Sequence, residues 1–233
     1  MFPFVTFIRD FRCFQAFSVI DFHPDGTTLL VGDQGGGKST LLGQLSLVVS
    51  KSRGERYDEK VLGVTTDDIS ILTSWNGDPA PVSYFDFERN NPRTSPAFGM
   101  FGIDIGTQVS SMYGSHGEFV RGSLSEIDRA QKGTLLLDEP DMALSPRSIH
   151  TLVQSIRNAE KRGVQVIAAV HNPLLIASFA EVLSLEHGRW MRSWEFLESQ
   201  TEPSTMAKGP RRIQAFYGVK TEPKAEPVAG ETP

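Results

Sequence analysis

The chain has 233 residues, 39% of them hydrophobic, enough for one globular domain with an ample core. A net charge of −5 excludes a uniformly basic, nucleic-acid-coating surface, and no apolar run approaches the length of a membrane span. The single Cys13 excludes an intrachain disulfide and fits a reducing compartment, where a small buried residue near the first strand is expected.

Residues 4–8 and 17–22 read as strands. Arg9, Asp10 and Arg12 interrupt the N-terminal apolar stretch too early for a secretory leader, so a cytoplasmic location is expected. After the turn Pro24-Asp25-Gly26, the run Thr27-Thr28-Leu29-Leu30-Val31 reads as a buried strand. It feeds Gly32-Asp33-Gln34-Gly35-Gly36-Gly37-Lys38-Ser39-Thr40, which satisfies the phosphate-binding pattern G-x-x-x-x-G-K-[ST]. Residues 39–50 read as a mostly apolar helix. In a strand, glycine loop and helix, backbone N–H groups converge on phosphate oxygens and the helix N-terminus adds positive potential. In that pattern Lys38 reaches the β- and γ-phosphates of a nucleotide, and Ser39 ligates Mg²⁺.

Residues 51–68 read as polar and irregular, with a basic cluster of Lys51, Arg53 and Arg56. Trp75-Asn76-Gly77-Asp78-Pro79 is a turn cluster, residues 82–88 form a strand, and residues 90–96 form a loop. Tyr113-Gly114-Ser115-His116-Gly117-Glu118 is a turn able to cap a helix. Thr134-Leu135-Leu136-Leu137 is a second buried strand, ending in Asp138 and Glu139. Beside a phosphate loop, Asp138 suits the Mg²⁺ shell, and Glu139 suits a base that orients and deprotonates water. Ser145 is placed to cap a helix that begins at Pro146, buries Ile149, Leu152, Val153 and Ile156, and stops at Gly163. Residues 164–170 form the next buried strand and end at His171-Asn172-Pro173, on the same sheet edge as Asp138 and Glu139. A short helix over 173–180, a strand over 181–186 and a turn at His187-Gly188 follow, and Trp190 and Trp194 are expected to pack the final elements. Lys208, Arg211 and Arg212 form a second basic cluster, and residues 219–233 hold almost no core-forming side chains, so a disordered tail is expected there.

These motifs, in this order, resemble the ATP-binding cassette (ABC) superfamily. Ser115-His116-Gly117-Glu118 aligns with the last four positions of its Leu-Ser-Gly-Gly-Gln signature, with His for the first Gly and Glu for Gln. The closest resemblance is to soluble stand-alone ATPases related to the heads of chromosome-maintenance and recombination ATPases. Those carry Ser-His-Gly-Glu and then Leu-Asp-Glu-Pro-x-x-Ala-Leu-Ser-Pro, present here at residues 115–118 and 136–146. The resemblance covers roughly residues 4–189. It implies an α/β P-loop NTPase of the ABC-ATPase type, with a mainly parallel core sheet flanked by helices. An N-terminal antiparallel side sheet and a small helical subdomain complete the expected fold. On this basis residues 1–205 form the ATPase domain, 206–218 a basic extension and 219–233 the tail.

The resemblance also implies ATP and Mg²⁺ as ligands, hydrolysis with Lys38, Glu139 and His171 as catalytic residues, and Ser39 and Asp138 as metal ligands. His171 matches the switch histidine that contacts the γ-phosphate. Two copies would sandwich two ATP molecules, each between one phosphate loop and the opposite Ser115, His116, Gly117 and Glu118. The D-loop, residues 140–146, would cross that interface, with Ser145 where the family usually has Asp. No Q-loop glutamine stands out; Asp86, Glu88 and Gln108 are the candidates to replace it. Phe11, Phe14 and Phe17 are the candidates to stack on adenine, and each also fits the core. The stretch from Lys38 to Ser115 leaves no room for a long coiled coil. The output of the dimer stays open between nucleic-acid maintenance with a DNA partner, gating of a defence effector, energy coupling to a separate membrane transporter, and a non-hydrolysing ATP switch.

Overall fold

The computed structural model describes residues 1–24, 26–55, 57, 59–74, 81–87, 124, 127–142 and 144–201. Two sheets form its frame. The smaller is antiparallel, with β1 (Phe4–Phe7) between β2 (Val19–Asp21) and β4 (Ile71–Thr73). The larger has the order β5-β6-β7-β3-β8-β9, built from β3 (Thr27–Val31), β5 (Val82–Asp86), β6 (Thr134–Asp138), β7 (Gln165–Ala169), β8 (Glu181–Ser184) and β9 (Arg189–Arg192). Its first five strands run parallel, and β9 returns antiparallel to β8. This is the expected α/β architecture, side sheet included.

β3, β6 and β7 are buried along their whole length, so their sequences are continuous apolar runs rather than alternating ones. Their side chains still alternate between two layers. Leu29, Val31, Leu135, Leu137, Val166 and Ala168 cluster with Ile149, Leu152, Val153 and Ile156 of helix α3 (Pro146–Lys161). Leu30, Leu136, Ile167 and Ala169 face the other way and cluster with Leu41, Leu42, Leu45 and Val49 of α1 (Lys38–Arg53). Val5, Phe7, Ile20 and Ile71 of the small sheet join this second cluster. Helix α1 therefore lies between core sheet and side sheet and is buried nearly all round.

Two buried glutamines lock these layers. Gln44 on α1 donates to Asp68 O at 2.8 Å and accepts from Ser70 N at 3.1 Å, anchoring the approach to β4. Gln165 accepts from Phe2 N and Thr134 Oγ1 and donates to Phe2 O and His23 O, all within 2.9 Å. Its amide is thus fully satisfied in a site with no solvent exposure.

Several expectations are corrected. The segment read as irregular after residue 50 holds the last turn of α1, the short α2 (Glu59–Leu62) and a 3₁₀ turn at Thr66–Asp68. The extra turn of α1 carries Lys51 and Arg53 at the helix C-terminus, where cations offset the dipole, and Gly54 closes it through its N–H to Lys51 O. β2 is shorter than the 17–22 reading, because Phe17 sits at φ 65 with its ring 80% exposed. Trp190 packs on His23 with ring centroids 4.3 Å apart, whereas Trp194, on the final helix α5 (Ser193–Thr201), is 62% exposed. The short helix after His171, α4 (Pro173–Ala177), forms as expected. The signature residues 115–118, Glu88, Gln108, Arg56, Lys208, Arg211, Arg212 and the tail lie outside the described residues, as does the expected helical subdomain.

Candidate functional site

The parallel strands β3, β6 and β7 end at one edge of the sheet, and a cleft of about 850 Å³ opens there. The glycine loop forms its floor. Gln34, Gly35, Gly36, Gly37, Lys38, Ser39 and Thr40 line it together with Glu139, Asp141 and His171. Gly32 and Asp33 sit behind the loop and hold Lys38, whose Nζ donates to their carbonyl oxygens at 2.8 and 2.9 Å. Burial lowers the Lys38 pKa, against the pull of the Glu139, Asp138, Asp33 and Asp141 carboxylates.

Gly37 caps α1 at φ 87. A Cβ there would stand 2.3 Å from Cys13 Sγ and 2.8 Å from the Phe14 ring. The loop therefore rests directly on the turn between β1 and β2. Cys13 is half-buried in that contact, and burial raises its pKa.

Ser39 Oγ donates to Asp138 Oδ1 at 3.0 Å, and Tyr84 Oη donates to Asp138 Oδ2 at 3.0 Å. The Asp138 carboxyl is pushed up to about 6, first by burial, then by Asp86, its partner in register across β5; the Ser39 and Tyr84 hydrogen bonds pull it down. The donor set suits Mg²⁺. The Ser39 hydroxyl lines the cleft, and a carboxylate oxygen of the buried Asp138 stands directly behind it at 3.0 Å. Mg²⁺ is ordinarily held this way, by one or two protein oxygens plus substrate phosphates and water.

Glu139 adopts φ 54, left-handed backbone that costs an L-residue about 1–2 kcal/mol. Its N–H is fixed to Ala169 O at 3.0 Å. Its Oε1 lies 3.5 Å from His171 Nε2, with both side chains about one-third exposed. Burial and Lys38 lower the His171 pKa, while Glu139 and Asp141 raise it, and the net fall favours a neutral imidazole. Asp141 ties the two segments together: Oδ2 accepts from the backbone N–H groups of His171, at 2.8 Å, and Asn172. Further along, Ser145 caps α3 as expected, accepting from Ser148 N at 3.3 Å with Pro146 in the first turn.

Arg12, Tyr84 and Asp141, the last within the expected D-loop, take parts at the site that the sequence did not assign to them. Arg12 lines the cleft and donates to Thr40 Oγ1 at 2.7 Å and Gly63 O at 2.8 Å. Only Tyr84 had a legible signal, its place two residues before Asp86 on the same strand face. None of the three candidate stacking aromatics lines the cleft; Phe14 is buried against Phe7 with ring centroids 4.2 Å apart. Asp86 is buried next to Asp138 rather than at the cleft surface.

A family model described as "P-loop containing region of AAA domain" matches residues 8–58. A second, described as "AAA domain, putative AbiEii toxin, Type IV TA system", matches residues 123–177. The hemin import ATP-binding protein HmuV of Pseudomonas entomophila is 46% identical over 57 residues, 24% of this chain and 22% of that protein. ABC transporter I family member 1 of Arabidopsis thaliana is 25% identical over 176 residues, 66% of this chain and 74% of that protein. The matches with the first of the curated relatives span less than half of those proteins' length. Among solved structures, an ATP-binding cassette of an ABC transporter aligns with TM-score 0.52 and 13% identity, covering 88% of this chain and 98% of that one. A nucleotide-free ATP-binding cassette from an ABC transporter aligns with TM-score 0.51 and 14% identity, covering 88% and 95%. At such identities the likeness speaks for the fold. No helix among the described residues is long and apolar enough to cross a membrane. Two segments of the chain are thus similar to AAA-domain models, one of them the P-loop containing region, and the fold is that of the ATP-binding cassettes.

Proposed function

We propose that the cleft binds ATP with Mg²⁺ and hydrolyses it, and that two copies close around two ATP molecules. The observation that carries this reading is that Glu139 and His171, 3.5 Å apart, line the same cleft as a glycine loop whose Ser39 meets Asp138. The loop N–H groups and the α1 N-terminus cradle the phosphates. Lys38 leaves the carbonyls of Gly32 and Asp33 for the β- and γ-phosphates, and Arg12 adds a second cation beside Thr40. Ser39 and Asp138 would hold Mg²⁺, which would supply positive charge against the triphosphate. Glu139 orients water and accepts its proton. His171, neutral, donates from Nε2 to the γ-phosphate. Ser115, His116, Gly117 and Glu118 of the second copy complete the phosphate site.

Lys38→Ala is expected to abolish ATP hydrolysis; full activity in that variant would remove the basis of the reading. Glu139→Gln, which binds without turnover, is expected to sediment as a monomer alone and as a dimer with Mg·ATP. A monomer in both conditions would mean that the second half of the site lies on another protein.

Closure is the output, and the partner it drives is a nucleic acid or a defence effector; the toxin–antitoxin wording of the model matching residues 123–177 supports the effector. A second reading, energy coupling to a separate membrane protein, is supported by the import and transporter names of the curated relatives. Co-purification with a membrane protein would select it.

A further inference from the structure

β5 and β6 run parallel in the register Tyr84↔Leu136 and Asp86↔Asp138, so Tyr84, Asp86 and Asp138 share the sheet face that meets α1. The Tyr84 ring packs beside the α1-facing cluster and touches the smaller cluster of Leu47, Leu62 and Val64. From there its hydroxyl reaches two residues along the sheet to Asp138 Oδ2. Asp138 and Asp86 are 4% and 5% exposed, two like charges in register in a dry setting. The two oxygens of Asp138 have different partners. Oδ2 is tied to a phenol anchored in the core, and Oδ1 faces Ser39 at the start of α1.

We propose that Tyr84 is a positioning residue for the divalent cation. It clamps Asp138 by Oδ2, so that Oδ1 stays directed at the Ser39 hydroxyl, where the cation is taken. This rests on the reading of Ser39 and Asp138 as the Mg²⁺ ligands. A carboxylate held by one oxygen presents the other in a fixed direction. Without the clamp, repulsion from Asp86 turns the carboxylate away and leaves Oδ2 buried without its donor. Outer partners of this kind change metal affinity by about 10–100-fold when removed.

The test is Tyr84→Phe in the full chain, which removes the hydroxyl and keeps the ring. Mn²⁺, visible by paramagnetic resonance, stands in for Mg²⁺, with a saturating non-hydrolysable ATP analogue. The Mn²⁺ half-saturation concentration is expected to rise by about tenfold or more. Affinity for the analogue in EDTA, and the melting profile, are expected to match wild type. An unchanged Mn²⁺ midpoint in folded Tyr84→Phe overturns the proposal, and so does an equal loss of metal-free nucleotide affinity, which would mark a general loosening. Should Tyr84→Phe not fold, Tyr84→Met keeps apolar bulk without the hydroxyl and is read the same way. Failure of the wild-type chain to bind the analogue would instead sink the nucleotide-site reading itself.

Discussion

Asp138→Asn is expected to make the metal-free protein more stable at neutral pH. The Asp138 carboxyl rises from its ordinary 3.8 to about 6 on folding, mainly through burial and then through Asp86. Each tenfold step in proton affinity is worth about 1.36 kcal/mol, so the native state gives up about 3 kcal/mol to hold this group ionised. Between the two values the folded chain binds more protons than the unfolded one, so stability falls as pH rises from about 4 to about 6 and stays low above that. Asparagine removes the charge and keeps an amide beside the Ser39 and Tyr84 hydroxyls, which can accept as well as donate. Urea unfolding in EDTA should show Asp138→Asn ahead of wild type by up to about 3 kcal/mol at pH 7.5, with the two converging near pH 4. Saturating Mg·ATP should reverse the order, because only wild type gains from the cation. A variant no more stable than wild type at pH 7.5 in EDTA would refute the claim that this carboxylate is held against its own desolvation.

Gly37→Ala places a methyl 2.3 Å from Cys13 Sγ on left-handed backbone, and should cost about 2–4 kcal/mol in thermal unfolding and abolish nucleotide binding. Gly35→Ala, also left-handed but with open space around its Cβ, should cost only the backbone part, about 1–2 kcal/mol. Asp141→Ala leaves the N–H groups of His171 and Asn172 without their carboxylate, so stability should fall by about 3 kcal/mol and kcat should fall more than KM rises; Asp141→Asn, which keeps an acceptor, should recover most of both. Glu139→Gly should raise the urea midpoint by relieving about 1 kcal/mol of backbone strain while hydrolysis disappears.

What the sequence makes legible follows from how each element is covered. β3, β6 and β7 are buried on both faces and so appear as unbroken apolar runs. α3 has one wet face, and its period stands out between Ser145 and Gly163. The end of α1 is polar because it leaves the core, and nothing in Lys51-Ser52-Arg53 announces that the helix continues. β4 is three residues long, too short to carry a period. Phe17 and Trp194 look like core by composition, yet backbone geometry turns one out of the β1–β2 turn and helix rotation exposes the other. In the site, the residues that follow one another along the chain could be read directly. The parts of Arg12, Asp141 and Tyr84 could not, since each rests on contacts made only in three dimensions: the place of Tyr84 two residues before Asp86 was legible, but its bond to Asp138 spans 54 positions.

Cys13 and Phe14 press on Gly37 from a segment that holds no motif residue. They act as a mould for the phosphate loop, which takes part of its shape from a turn formed more than twenty residues earlier. The side sheet is then no ornament that could be exchanged freely between related ATPases. A chimaera with every motif residue intact and a foreign β1–β2 turn should bind nucleotide with altered affinity, because its loop would be cast against a different surface. In proteins built this way, comparing motifs alone understates how far two nucleotide sites have diverged.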